Sequence, residues 1–224
     1  MIAHESTSAP IVHLFDVDHT IVDTSTVTDF LVAAIRRGIL QKRLTLYVPY
    51  YYFRYSLTLV RAGNFDSVFP YLRGIDKNDL DLLADRVFNT KTIGKLNTRV
   101  VELMKEAQRR GERVIIASAS FKTIIAPLAR YLGVEEIIVS ELEFEDGVST
   151  GKLTTIPAFR NGKKELVLEY LSASGIGLGS CVFYSDSTRD LPLLEAVAKP
   201  VVVNPSSRMQ KIAEQRSWEI ITTR

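Results

Sequence analysis

Val12-His13-Leu14-Phe15-Asp16-Val17-Asp18-His19-Thr20 is an apolar run that stops abruptly at two carboxylates spaced one residue apart. A run of this length bounded by polar residues reads as a strand buried on both faces. Carboxylates at i and i+2 just past its end can present one side chain to a reacting group and the other to its leaving atom. A metal can sit between the first carboxylate and a nearby backbone carbonyl. Capping of the following helix is the alternative role for either acid, although Asp23, Thr24 and Ser25 offer capping groups closer to the next apolar stretch.

Working outward, further apolar runs at 114–117, 137–139, 181–184 and 201–203 also read as buried strands. Helical patterns at 95–110, 123–132, 164–171 and 191–198 alternate with them. This alternation predicts an α/β fold with a parallel, Rossmann-like sheet wrapped on both faces, in which ligands collect at the carboxyl ends of the strands. Between the first and second strands lies an interval of roughly ninety residues, far beyond what one crossover helix needs. Helical character at 26–37, 40–60 with a break near Pro49, and 78–88 makes 25–94 an all-helical cap. The core then comprises 1–24 and 95–224. Asp146-Gly147 between extended residues marks a hairpin.

Composition sets bounds. The 224 residues are 46% hydrophobic and 24% charged with a net charge of +2, which fits a globular chain and gives no case for nucleic-acid binding. A lone cysteine, Cys181, excludes an internal disulfide and reads as a small buried hydrophobe in a reducing compartment. The first residues lack a secretory pattern and the longest apolar stretch, 44–60, is too short to span a bilayer. The expected location is the cytoplasm. From Phe30 to Phe65 there is no Asp or Glu, whereas Arg36, Arg37, Lys42, Arg43, Arg54 and Arg61 all fall there. Tyr47, Tyr50, Tyr51, Tyr52 and Tyr55 interleave with these cations. That pattern suits peripheral contact with an anionic inner-membrane surface, or else tyrosines that pack the cap while the cations guide phosphate esters inward.

Three other strand ends carry polar groups. Ser118-Ala119-Ser120 precedes a helix and so offers hydroxyls and free N–H groups suited to phosphate, with Ser120 as a plain N-cap the alternative. Asp186 and Asp190 sit at a helix start, where the helix dipole alone favours acids. With Asp16 close by, however, such carboxylates would repel one another unless a hard divalent cation such as Mg2+ lay among them. Lys163 and Lys164 beside Gly162 oppose the dipole of the helix that follows. One of the pair could neutralise a phosphate and a nucleophile together, leaving the other solvated.

Asp, Ser, Lys and Asp in this order resemble the four motifs of the haloacid dehalogenase superfamily, and the similarity covers nearly the whole chain. The helical cap, of C1 type, the hairpin followed by Thr150-Gly151-Lys152-Leu153, and Val203-Asn204-Pro205 are similar to its phosphoserine-phosphatase-like subfamily, IB. The resemblance implies a magnesium-dependent phosphatase acting through an aspartyl-phosphate on a small phosphate ester or a lipid phosphate. It implies Asp16 as nucleophile and Asp18 as general acid and base. Asp16, the Asp18 carbonyl and Asp186 would hold the metal, and Lys163 and Ser118 would stabilise the transferring oxygens. Asp190 would support Lys163, and Thr20, Ala119 and Arg189 would contact or support the phosphoryl group. His19 stands where that family commonly has glycine, and Ser185 and Arg189 replace the usual Gly and Asn. Phosphoserine itself is one alternative substrate, and a non-catalytic phospho-acceptor module is the alternative of a different class. No obligate protein partner is evident.

Overall fold

In the computed structural model, residues 11–40 and 69–223 are described. Six parallel strands form one sheet in the order β3-β2-β1-β6-β7-β8. They are β1 (Val12–Phe15), β2 (Arg113–Phe121), β3 (Glu136–Ser140), β6 (Cys181–Ser185), β7 (Lys199–Val203) and β8 (Glu219–Ile221). β1 is central, pairing Phe15 with Ile116 on one side and with Tyr184 on the other. The chain winds from β1 first toward β2 and later toward β6, so the switch in direction falls beside β1, where a crevice opens beyond the carboxyl ends.

Alternation along the strands sends side chains into two cores. Val12 and Leu14 join Ile115, Phe183 and Val202 on one face, covered by α5 (Asn161–Ser172), the short α6 (Leu191–Leu194) and α7 (Ser207–Gln215). Phe15 joins Ile116, Tyr184 and Val203 on the other, covered by α3 (Thr98–Arg109) and α4 (Lys122–Leu132). Both faces are apolar, which is why the strands read as continuous hydrophobic runs.

A third apolar cluster lies off the sheet. Phe30 and Ala34 of α1 (Thr26–Arg36) meet Leu80, Leu83 and Val87 of α2 (Lys77–Val87), together with Tyr71 and Leu72 of the single turn Pro70–Leu72. Leu142 and Leu153 complete it from the hairpin of β4 (Leu142–Glu145) and β5 (Val148–Leu153). Backbone bonds from Phe69 N to Gly151 O (3.0 Å) and from Gly74 N to Ser149 O (2.8 Å) fasten the turn to β5. Asp146 (φ +49°) and Gly147 (φ +81°) make the predicted two-residue turn, with both residues left-handed as a right-twisted hairpin requires.

Several sequence expectations shift at their edges. The helix expected from 95 begins at Thr98, because Asn97 caps it by accepting from Val100 N, and the helix expected over 191–198 stops at Leu194. β2 runs on through Phe121 rather than ending at 117, so Ser118 and Ser120 lie on an irregular strand extension. Its helix starts at Lys122, and Ser120 is therefore not its N-cap. β8 and α7 were not expected. The tyrosines at 47–55 and Lys42, Arg43, Arg54 and Arg61 lie outside the described residues. Among the described residues no helix is long and apolar enough to cross a membrane.

Candidate active site

Lys163 is the largest charged side chain buried in the described structure, 2% exposed. It belongs to the first turn of α5 rather than preceding it, and it points beneath the ends of β1 and β6. Its Nζ donates to Asp16 Oδ1 at 2.8 Å and to Asp190 Oδ2 at 2.9 Å. Ser185 Oγ donates to the same Asp190 oxygen at 2.7 Å. An ammonium at a helix N-terminus runs against the dipole, and the two carboxylates offset that cost. Burial opposes its charge, but Asp16 and Asp190 outweigh burial and hold its pKa above the usual lysine range.

The reverse holds for the acids. Burial raises Asp16 above the usual carboxylate range, and Asp190 and Asp186 push the same way against the pull of Lys163. Asp186 is pushed up to about 6, chiefly by burial, with His19 pulling it down and Asp190 pushing it up. Three carboxylates thus share one buried cation, and negative charge is in excess. Asp190 is engaged by Lys163 and Ser185. Among the described residues no three His, Cys, Asp or Glu side chains converge into a metal cage. Asp16 and Asp186 remain, a sparse oxygen set of the kind Mg2+ takes when it keeps several waters.

Asp18 is tied to the start of α1. Its Oδ1 accepts from Thr26 N (3.0 Å) and Thr26 Oγ1 (2.6 Å), and its Oδ2 from Ser25 Oγ (3.0 Å). The capping alternative raised by the sequence is thus physically present, alongside a position on the cavity. Thr26 spends its only proton on Asp18, so the contact of 3.0 Å between Thr26 Oγ1 and Ser120 Oγ has Ser120 as donor. Ser118 Oγ accepts from Ser120 N at 3.2 Å, and its own proton remains to be donated into the cavity.

A cavity of about 410 Å3 opens over these groups. Asp16, Asp18, His19, Ser118, Ala119, Lys163, Asp186, Arg189 and Asp190 all border it, joined by side chains of α1, the 70–72 turn and Phe159. Thr20 does not border it. It is fully buried, and its hydroxyl accepts from Asp186 N at 3.1 Å, which holds the β6 loop against the β1 loop. His19 keeps a left-handed backbone, φ +61°, as a glycine-like position would. Sequence reasoning missed Thr26, whose partner Ser120 lies 94 residues away, and the hydrogen bond by which Ser185 holds Asp190. Cys181 is buried and its thiol is pushed up to about 11 by that burial, which keeps it unreactive.

The profile of the haloacid dehalogenase-like hydrolases matches residues 13–195. The chain belongs to that family. As a haloacid dehalogenase-like hydrolase it is an enzyme, and several of its relatives carry phosphatase names. It is 30% identical over 213 residues to a probable phosphatase of Mycobacterium tuberculosis, covering 93% of this chain and 74% of that one. A phosphoserine phosphatase of the same organism is 27% identical over 216 residues, covering 92% of this hydrolase and 68% of its own chain. A protein of unknown function from Bordetella pertussis superposes with a TM-score of 0.83 at 27% identity, covering 96% and 99% of the two chains.

Proposed function

We propose that this hydrolase is a magnesium-dependent phosphomonoesterase that works through an aspartyl-phosphate on small phosphate esters. The observation that carries the reading is the buried Lys163 ammonium bridging Asp16 and Asp190 on the floor of the cavity. The phosphatase names of its relatives support it.

Lys163 binds one oxygen of Asp16 and so fixes the plane of the carboxylate, leaving Oδ2 to attack phosphorus. The P–O bond to the leaving alcohol breaks as the bond to Asp16 forms, dividing one hard hydrolysis into two easier steps. Asp18, which borders the same cavity, gives a proton to the departing oxygen and later takes one from the water that cleaves the aspartyl-phosphate. Ser118 Oγ and the Ala119 backbone N–H donate to the phosphoryl oxygens, Lys163 supplies positive charge beside them, and Arg189 adds a second cation at the rim. Asp190 and Thr20 act by positioning, the first on Lys163 and the second on the Asp186 backbone. Mg2+, held by Asp16, Asp186 and the Asp18 carbonyl, would offset the repulsion between an anionic nucleophile and an anionic ester. Among the described residues of 25–94, α1 and the 70–72 turn border the cavity and would shield the reaction from bulk water.

The test is phosphate release from a panel of phosphate esters in Mg2+, with Asp16→Asn as control. Turnover by the wild type and loss of at least ~10^4-fold in the variant is expected for removal of a nucleophile. Equal rates in the two proteins would reject Asp16 as nucleophile. Stoichiometric phosphorylation without turnover would favour the acceptor-module reading.

A further inference from the structure

Beyond the charged groups of the floor, much of the cavity's wall is apolar: Val27 and Leu31 of α1, Phe69 and Tyr71 of the turn region, Phe121 at the end of β2, and Phe159, with Ser25 and Thr28 as the polar side chains at the start of α1. A small crevice continues from that wall, sharing Val27, Leu31, Tyr71 and Phe121 and extending to Phe30, Leu72, Leu80 and Leu142. Every carboxylate bordering the cavity among the described residues belongs to the floor: Asp16, Asp18, Asp186 and Asp190.

We infer that the phosphate ester accepted here has an apolar, uncharged alcohol as its leaving group, received by the wall of Val27, Leu31, Phe69, Tyr71, Phe121 and Phe159. This rests on the phosphatase reading and refines it. An ammonium on the leaving group would be moved from water to a surface of mostly aromatic and aliphatic carbon that carries no carboxylate among the described residues, and burying an unpaired charge is costly. An alkyl or aryl group gains from the same transfer, and a cavity of about 410 Å3 lies within the range of about 300–1,000 Å3 that accepts ligands larger than a phosphate on a short chain. Short-chain alcohols and lipid alcohols share this chemistry.

The experiment measures kcat/KM of the full chain in Mg2+ for ethyl, propyl, butyl and hexyl phosphate, lysophosphatidate, phosphoserine and phosphoethanolamine. Phosphoethanolamine matches propyl phosphate in shape, with an ammonium in place of the methyl. The expected result is a rise of roughly three- to fourfold per methylene, the transfer value of a buried CH2, and a preference of at least about tenfold for propyl phosphate over phosphoethanolamine. A rise that levels off by hexyl phosphate identifies a small alcohol, and one that continues to lysophosphatidate identifies a lipid. Leu31→Asp, which places a carboxylate on the wall, is expected to narrow or reverse the propyl-to-ethanolamine ratio. The wild-type series decides the matter even if that variant does not fold. A flat series, or phosphoserine or phosphoethanolamine preferred over the alkyl esters, overturns the inference while leaving the phosphatase intact. Release from none of the esters beyond the Asp16→Asn background overturns the phosphatase reading and this inference with it.

Discussion

At the scale of single residues, two buried groups contribute to stability in opposite ways as pH changes. Lys163 neutralises part of a carboxylate cluster, and Lys163→Met would leave Asp16 and Asp190 without their cation. Breaking a buried pair from one side costs about 3–5 kcal/mol, so urea unfolding in magnesium-free buffer at neutral pH should show a loss of that size. Asp16 is already raised, and losing Lys163 raises it further. A carboxyl with a raised folded pKa favours the fold in acid and loses that advantage as pH rises through the folded value, which lies near 8 for Asp16 in the wild type, so the deficit of the variant should shrink as pH falls from about 9 to about 7. A deficit independent of pH would sink this account. His13, at the opposite end of β1, behaves in the other sense. Its Nε2 donates to Glu112 at 3.0 Å and its Nδ1 accepts from Tyr184 Oη at 3.3 Å, an arrangement for the neutral ring. Burial is the largest influence and lowers its pKa from the ordinary 6.5; Glu112 pulls upward, and Arg110 and Lys199 push down. The folded chain therefore resists protonation there, and its stability is full above about 6.5 and falls as acid protonates the unfolded chain first. Thermal unfolding of His13→Gln should depend less on pH between 7 and 5 than that of the wild type, and an unchanged slope would assign the acid sensitivity elsewhere.

Elements carry the next level of the argument, since every group on the floor is placed by a strand end or a helix start. Asp16 and Asp18 stood out in the sequence because charges that end an apolar run contradict local burial, Asp186 and Asp190 only in company with Asp16, and Lys163 was told from Lys164 by the family resemblance alone. The parallel sheet was legible for a related reason, as runs apolar on both faces leave little alternative to a strand between two helical layers. Less legible were features set by distant partners. The extension of β2 depends on its irregular pairing with β3, and Ser120 faces Thr26 across 94 residues, a contact that no local pattern announces. The hydroxyl chain from Ser120 through Thr26 to Asp18 links β2, α1 and the first loop. Thr26→Val keeps the shape and removes the donor 2.6 Å from Asp18. Hydrogen bonds to charged groups contribute about 1.5–3 kcal/mol, so this variant should lose stability in that range. It should also lower kcat, because Asp18 loses a donor that holds its Oδ1 in place. A loss of stability with an unaltered kcat would make Thr26 a cap of α1 and nothing more.

For the molecule as a whole, the sheet brings together more negative charge than it neutralises. Asp16, Asp186 and Asp190 face a single buried ammonium, and burial raises both Asp16 and Asp186. A fold carrying that excess is destabilised until a cation enters, so binding of Mg2+ and stability should be linked. Once Mg2+ exceeds its dissociation constant, each further tenfold should add about 1.4 kcal/mol, which for a chain of this size corresponds to a rise of very roughly 3–6 °C in Tm. A chelator should reverse it. Asp186→Asn separates this linkage from a general salt effect, because it removes a proposed metal oxygen and one unit of the excess charge together. The metal-free variant should melt above the metal-free wild type, yet gain little when Mg2+ is added, so the two titration curves should cross. If Ca2+-free, Mg2+-free protein gains no stability from Mg2+ at concentrations that support turnover, or if Asp186→Asn gains as much as the wild type, then the excess charge is balanced by some other means and the proposed metal site is wrong.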